Sequence, residues 1–454
     1  MHRFLSQGIV FPISHLRRRL RSDMKAAYRS YRAGLAFRHA AADWDTETKF
    51  DWILNSLRGN LRMAYAQTPY YKQLFNRIGF DPRSDFSFAE FSQIPILERE
   101  SVARAGNEML SDRIRPEERT KDATGGTTGV PTEIWLGPEE RGWKESGMQY
   151  LFTRIGVELG DRIAYFWGHH LDPRPSEKIA DRLRSFLANT RYYDCFRLSP
   201  QVYQAYHESF ERYRPDCIVA YASALGQFAE YLRENRIKPK NYPNICFVTG
   251  AEKLYPSHRD AIEEVFGKSK PVFERYGGRD ISTVALQTGA DPEGAFEIDW
   301  AWALVEPETS ETRTSVLVTK LHADAMPMIR YRVDDLAVFP TSSIPGVPAF
   351  SISEMVGRAL DQIWLPDGRS VHGVELPHLM KDFQVKEFML IQSPDYSVAV
   401  KIIPKPGFKE PDRQIIYDII TKNLPGLRID INLVERIDRT KANKWRPVVS
   451  LVQR

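Results

Sequence analysis

The sequence is poor in cysteine. Three occur in 454 residues, Cys195, Cys217 and Cys246. Their odd number and wide spacing give no disulfide framework and no zinc-ligand pair, and point to a reducing, cytoplasmic compartment. No stretch approaches the about 20 consecutive apolar residues that a membrane-crossing helix needs. The start does not read as a secretory leader, because the apolar run at 9–13 is short and the densest basic cluster follows it. No His/Cys metal spacing, no fixed-period repeat and no low-complexity tract is found, and no Ser-His-Asp arrangement can be argued from spacing. The formal charge of +4 is too small to argue for nucleic acid.

What is present is globular. Hydrophobic residues make up 42% and charged residues 27%, and 24 Phe, 20 Tyr and 9 Trp suffice for a large core. The charge is uneven. Residues 1–40 hold nine basic side chains, among them Arg17, Arg18, Arg19, Arg21 and Arg38, against the single acid Asp23. That arm carries +8, so the other 414 residues carry −4. Apolar residues at Ile13, Leu16, Leu20, Met24, Tyr28, Tyr31 and Leu35 recur in steps of three and four, which predicts one helix face. Such an arm suits packing on the body or a second subunit, or peripheral contact with anionic lipid at the inner face of the membrane.

Further helices are expected at 45–58 and 61–77, with a break near Thr68-Pro69. From about 160 the chain alternates. β-rich runs at 162–167, 217–222, 245–249 and 272–276 interleave with helical patterns at 178–187, 201–213, 225–234 and 258–266. This predicts βαβ units and a mostly parallel sheet covered by helices. Strands at 315–320 and 336–339 lead to a Pro, Ser and Gly loop at 340–348. Beyond it, hairpins at 362–374 and 387–403, a helix at 412–423 and a strand at 429–434 read as a small α+β domain.

The strongest local signal is Thr124-Gly125-Gly126-Thr127-Thr128-Gly129. Its backbone N–H groups and hydroxyls suit phosphate oxygens, although the Walker spacing and lysine are absent. Downstream, in order, stand Thr249-Gly250-Ala251-Glu252, Tyr276-Gly277-Gly278-Arg279-Asp280, Tyr331-Arg332-Val333-Asp334-Asp335, Gly357-Arg358 and Arg439-Thr440 followed by Lys444. This ordered set resembles the adenylate-forming enzymes, and more narrowly the phenylacetate–CoA ligase branch with its CapK-like relatives. The similarity runs from about residue 50 to the C-terminus.

The resemblance implies an α/β fold. A basic helical arm at 1–48 precedes a large ATP- and substrate-binding domain at 49–356 and a small mobile α+β domain at 357–454. It implies a ligase that activates a small-molecule carboxylic acid with ATP and magnesium and transfers it to coenzyme A. An amine or carrier-protein thiol as acceptor, or a non-catalytic nucleotide-binding scaffold, are the alternatives, and the oligomeric state stays open. By the same resemblance residues 124–129 hold phosphates, and Gly250, Ala251, Glu252 and Gly277 belong to the ATP site. Tyr276 lies near the adenine, Asp335 accepts from the ribose hydroxyls and Arg358 reaches ribose or phosphate. Asp280 binds magnesium and Lys444 is catalytic. Four positions depart from the family pattern: Asp280 stands for Glu, Asp334 and Asn443 for Gly, and Leu360 for the hinge acid. Trp167-Gly168-His169-His170, at a strand end, is a candidate acyl-pocket lining.

Overall fold

A computed structural model of the protein describes residues 22–123, 133–168, 189–195, 198–289, 294–311, 313–358, 362–367, 370–372, 383–437 and 448–452. The chain opens with α1 (Ser22–Ala40), α2 (Thr46–Gln67), α3 (Pro69–Ile78) and α4 (Arg99–Ala105). An antiparallel hairpin, β1 (Thr120–Ala123) and β2 (Glu133–Leu136), and α5 (Pro138–Thr153) follow. Asp45 caps α2 by accepting from the Thr48 N–H at 2.7 Å. The helix then runs through Gly59-Asn60, where the sequence suggested two helices. Gly59 faces open space, and the buried Asn60 amide donates to the Lys320 carbonyl, so neither residue ends the helix. The break falls at Thr68, and Pro69 takes the first turn of α3, where its missing N–H costs nothing.

Helix α1 lies along α5 at close range. A Cβ on Gly142 would meet the Ala27 carbonyl at 2.3 Å, so only glycine lets the two backbones approach. Arg38 is buried in this seam. It makes two 2.8 Å bonds to Asp299, donates to the Ser146 hydroxyl at 2.9 Å and lies over the Trp143 ring. One of the arm's nine basic residues is therefore an internal ion-pair partner. Residues 13–20 of the expected stripe lie outside the described residues. Among those described, no helix is long and apolar enough to cross a membrane.

The alternation expected from about residue 160 is observed, apart from the helix expected at 178–187, which lies outside the described residues. β3 (Ile163–Trp167), β4 (Thr190–Asp194), α6 (Pro200–Tyr213), β5 (Cys217–Tyr221), α7 (Ala222–Glu234), β6 (Cys246–Gly250), α8 (Pro256–Phe266) and β7 (Val272–Gly278) build a parallel sheet in the order β7-β6-β5-β3-β4. β5 and β6 are buried along their whole length, as a sheet covered on both faces requires. One face packs Phe210, Phe228 and Phe247 among α6–α8, and the other packs Phe152, Val219 and Phe273 with α5. The Cys217 and Cys246 thiols meet at 3.9 Å in that core.

Past β7 the same sheet continues antiparallel through β8 (Ser282–Gln287) and β9 (Phe296–Ile298). A second sheet, wholly antiparallel, joins β10 (Ala303–Pro307), β11 (Arg313–Lys320) and β12 (Tyr331–Val338). β13 (Ser351–Ile352) returns to pair with β9, and β14 (Glu354–Arg358) closes the second sheet against β12. The sequence placed the start of β12 at 336. It begins at Tyr331, because Tyr331 and Val333 are buried while Arg332 and Asp334 between them are not.

The small domain is α+β, as expected. β15 (Gln362–Trp364) and β16 (Ser370–His372) form a hairpin. β17 (Val385–Gln392), β18 (Val398–Pro404), α9 (Glu410–Asn423), β19 (Ile429–Leu433) and β20 (Val448–Ser450) form a sheet ordered β19-β18-β17-β20. Ile416 and Ile420 of α9 pack on Leu390, Val400 and Ile402 of that sheet.

Candidate functional site

Open α/β sheets bind ligands beyond the carboxyl ends of their parallel strands. Here β3, β5 and β6 end in Trp167, Tyr221 and Gly250, and Tyr276-Gly277-Gly278 close β7. The Tyr276 hydroxyl donates to Asp335 Oδ2 at 3.2 Å, tying the end of β7 to β12 in the other sheet. Asp335 stands opposite Arg358 in the β12–β14 register. Burial, and then the nearby Asp335 carboxylate, hold the Tyr276 phenol well above its ordinary pKa, so it stays a donor. Three widely separated sequence motifs are thus brought to one place.

Asp335 is turned toward Tyr276 by a bulge. Between Ser315 and Leu317 the β11–β12 register shifts, and β12 takes up the extra residues. Asp334, within it, has φ +65°, the left-handed region that favours glycine. The position where the family pattern leads one to expect Gly therefore has the glycine-type backbone while holding Asp.

The structure engages Asp280 in a different way from the sequence expectation. Its carboxylate is buried, Oδ2 accepts from the Tyr331 hydroxyl at 3.0 Å, and Arg99 Nη2 stands 3.5 Å away. The other oxygen lies against Gly278, where a Cβ would meet it at 2.5 Å. Arg99 Nε also faces Asp334 at 3.6 Å. Burial works against the Arg99 charge, but Tyr331, Asp280, Asp334 and Asp335 together hold its pKa above the ordinary value. Asp334 shifts upward, chiefly through burial. Among the described residues no three His, Cys, Asp or Glu side chains group as a metal site. With Tyr331 and Arg99 on one oxygen and backbone on the other, Asp280 does not fit a magnesium ligand in this arrangement.

Two other motifs adjoin. Ala251 has φ +66°, and Glu252 accepts from the Ser223 N–H at 3.1 Å, so its carboxylate sits at the N-terminus of α7. Arg279 Nη1 is 3.8 Å from Asp122 on β1, two residues before Thr124. Residues 124–129 and Lys444 lie outside the described residues, as do Leu360, Asn443, His169 and His170. Only the backbone of Arg358 is described.

Comparison with known proteins shows what this fold resembles. Residues 363–451 match the family model described as the CapK C-terminal domain. A phenylacetate–coenzyme A ligase of Pseudomonas putida is 22% identical over 325 residues, covering 68% of this chain and 70% of that protein. A Thermus thermophilus enzyme of the same name is 21% identical over 381 residues, covering 79% and 82%. The crystal structure of 2-hydroxyisobutyryl-CoA ligase with 2-HIB-AMP, in its postadenylation state, superimposes with a TM-score of 0.71 at 17% identity over 90% of each chain. The chain is thus similar in sequence to phenylacetate–coenzyme A ligases and shares the fold of an adenylate-forming ligase. These relatives are named as ligases, the activity that the sequence motifs led one to expect.

Arg99 and Tyr331 are the residues around Asp280 that sequence reasoning missed. Tyr331 was visible inside the Tyr331-Arg332 motif without an assigned task. Arg99 carried no signal, since it lies on a short helix more than 150 residues from its partners Asp280 and Asp334.

Proposed function

We propose that this chain joins a carboxylic acid to coenzyme A through an acyl-adenylate. A carboxylate oxygen attacks the α-phosphorus of ATP, and the bond to pyrophosphate breaks. The coenzyme A thiolate then attacks the acyl carbon, and AMP leaves. The observation that supports this most is the Tyr276–Asp335 pair with Arg358 opposite Asp335 at the carboxyl edge of the sheet. A carboxylate with one oxygen held by a phenol keeps the other for a vicinal diol, which suits a ribose. Tyr276 would set its ring by the adenine. Gly250 and Ala251 let a nucleotide approach the backbone, and Glu252 steadies that turn through α7.

The remaining roles follow from the family pattern. Thr124, Gly125, Gly126, Thr127, Thr128 and Gly129 would wrap the terminal phosphates. The Lys444 ammonium would stabilise charge developing at the α-phosphorus. Magnesium would arrive as the counter-ion of ATP, and no step above runs through it. The names of the relatives favour coenzyme A as acceptor.

The test is ATP–pyrophosphate exchange that depends on an added carboxylic acid, across aromatic and aliphatic acids. Exchange abolished by Lys444→Ala, with a thioester formed when coenzyme A is supplied, supports the reading. ATP binding without exchange or hydroxamate for any acid favours a nucleotide-binding scaffold. Adenylate discharged by amines or a carrier thiol but not by coenzyme A moves the acceptor.

A further inference from the structure

Most buried cations of the large domain have a carboxylate. Arg38 pairs with Asp299 at 2.8 Å, Arg330 with Glu306 at 2.9 Å and Lys320 with Glu140 at 2.9 Å. Arg332 pairs with Glu98 and Glu308, and Arg99 faces Asp280 and Asp334. Arg275, one residue before Tyr276 on β7, differs. No Asp or Glu among the described residues forms an ion pair with it.

Its surroundings are aromatic and apolar. Nη1 approaches the Met148 sulfur at 3.6 Å, and the guanidinium carbon stands 5.3 Å above the centre of the Trp167 ring. Trp167 meets Tyr221 edge-on with centroids 4.4 Å apart. Gly250 borders the same group, since a Cβ there would lie 3.4 Å from Arg275 Nε. Trp167, Tyr221 and Gly250 are the last residues of three neighbouring parallel strands, so Arg275 sits at the ligand-binding edge. Strand alternation sends Arg275 and Tyr276 to opposite faces, Tyr276 into the core shared with the second sheet and Arg275 toward the side of Phe273. The side chain is half-buried and remains reachable. Burial disfavours its charge, and Tyr165, the Cys217 thiol and Tyr221 offset that only in part.

A charged guanidinium held among rings, with no acid paired to it among the described residues, suits an anion that a ligand brings. Its planar fork matches a carboxylate bidentately. Holding the reacting carboxylate that way would tie up the oxygen that must attack phosphorus. We propose that Arg275 binds a second carboxylate, so that the acid activated is a dicarboxylic acid whose body lies against Trp167 and Tyr221. This rests on the acid-activating reading above.

The experiment pairs acids that differ only in a terminal methyl or carboxylate: butyrate with succinate, pentanoate with glutarate, p-toluate with terephthalate. Binding to the AMP-loaded full chain is measured by calorimetry for wild type, Arg275→Met and Arg275→Lys. For at least one pair, wild type should bind the diacid about tenfold or more tightly over the monoacid, the scale of one charged hydrogen-bonded contact. Arg275→Met should erase that preference, and Arg275→Lys should keep part of it. Because Arg275→Met removes a half-buried cation with no acid partner among the described residues, its melting temperature should equal or exceed wild type. Preference for the monoacid in every pair, an unchanged ratio in Arg275→Met, or equal loss of mono- and diacids in that variant would each overturn the proposal. Should Arg275→Met unfold, Arg275→Lys decides by the same ratio. The readout is binding, so absence of exchange with any acid would count against the ligase reading without obscuring this one.

Discussion

The Tyr276 hydroxyl and the Asp335 carboxylate meet at 3.2 Å and join the end of a mainly parallel sheet to a strand of a wholly antiparallel one. The bond positions an acceptor, and the acceptor is expected to do the binding. Asp335→Ala should therefore weaken AMP binding by about tenfold or more, the scale of losing a charged hydrogen-bonded contact. Tyr276→Phe keeps the ring and removes only the orienting donor, so its loss should be about threefold. Calorimetric titration with AMP on folded variants checks both. Equal losses would show that orientation, not contact, dominates.

Arg99 faces two acids from a seven-residue helix, Asp280 at 3.5 Å and Asp334 at 3.6 Å. Removing one partner of a buried pair leaves an uncompensated charge. Arg99→Met should destabilise the chain by about 3 kcal/mol, the low end for such losses because Asp334 is partly exposed. Asp280→Asn in the same chain should restore part of that, since it removes the more buried acid. Urea midpoints of the two single variants and the double variant test the coupling. Strict additivity would remove Asp280 as the partner.

Legibility followed periodicity. The β5–α7–β6–α8–β7 run was visible because its strands are continuous apolar stretches and its helices carry helical spacing. The stretch 282–307 was not, because β9 spans only three residues and β8 and β10 are buried nearly throughout, which leaves no apolar–polar alternation to read. Helix α5 was missed for another reason. Its face toward α1 is built from Gly142, Ser146 and Gly147, which carry no hydrophobic signal yet permit the closest approach. Around Asp280, Tyr331 at least lay inside a motif, whereas Arg99 lay in none, since an ion pair spanning so much chain leaves no local trace.

Asp334 offers a test of backbone strain. At φ +65° a β-branched residue is strongly disfavoured, whereas Gly is at ease and Asp is tolerated. Asp334→Val should destabilise by about 1–2 kcal/mol through backbone strain alone. Asp334→Gly should stay within about 0.5 kcal/mol of wild type, strain relief offsetting the partly exposed contact with Arg99. Thermal unfolding ranks the three. A Val variant as stable as the Gly variant would place the backbone elsewhere.

Two buried groups beside α5 should oppose one another in pH dependence. Asp324 accepts from the Glu139 and Glu140 N–H groups at 3.0 and 3.3 Å, yet burial and the adjacent Glu140 push its pKa from 3.8 up to about 7. The folded chain thus holds a proton there that the unfolded chain has released. Its contribution is full below about 3.8 and is lost as pH rises through about 7. His322 stacks on Trp143 with centroids 3.7 Å apart, and burial together with Arg38 lowers its pKa from 6.5 to about 3. Here the unfolded chain binds the proton, so stability rises with pH across about 3 to 6.5. Each slope reaches at most about 1.4 kcal/mol per pH unit, and between about 4 and 6.5 they cancel in the wild type. Asp324→Asn should leave the His322 slope exposed, so that relative to wild type its stability climbs from pH 4 to 6.5. His322→Phe, which keeps the stack, should show the reverse, falling toward pH 7. Urea midpoints of the three chains at pH 4, 5, 6 and 7 decide it, and variants that track the wild type in parallel would mean that neither group titrates as its burial demands.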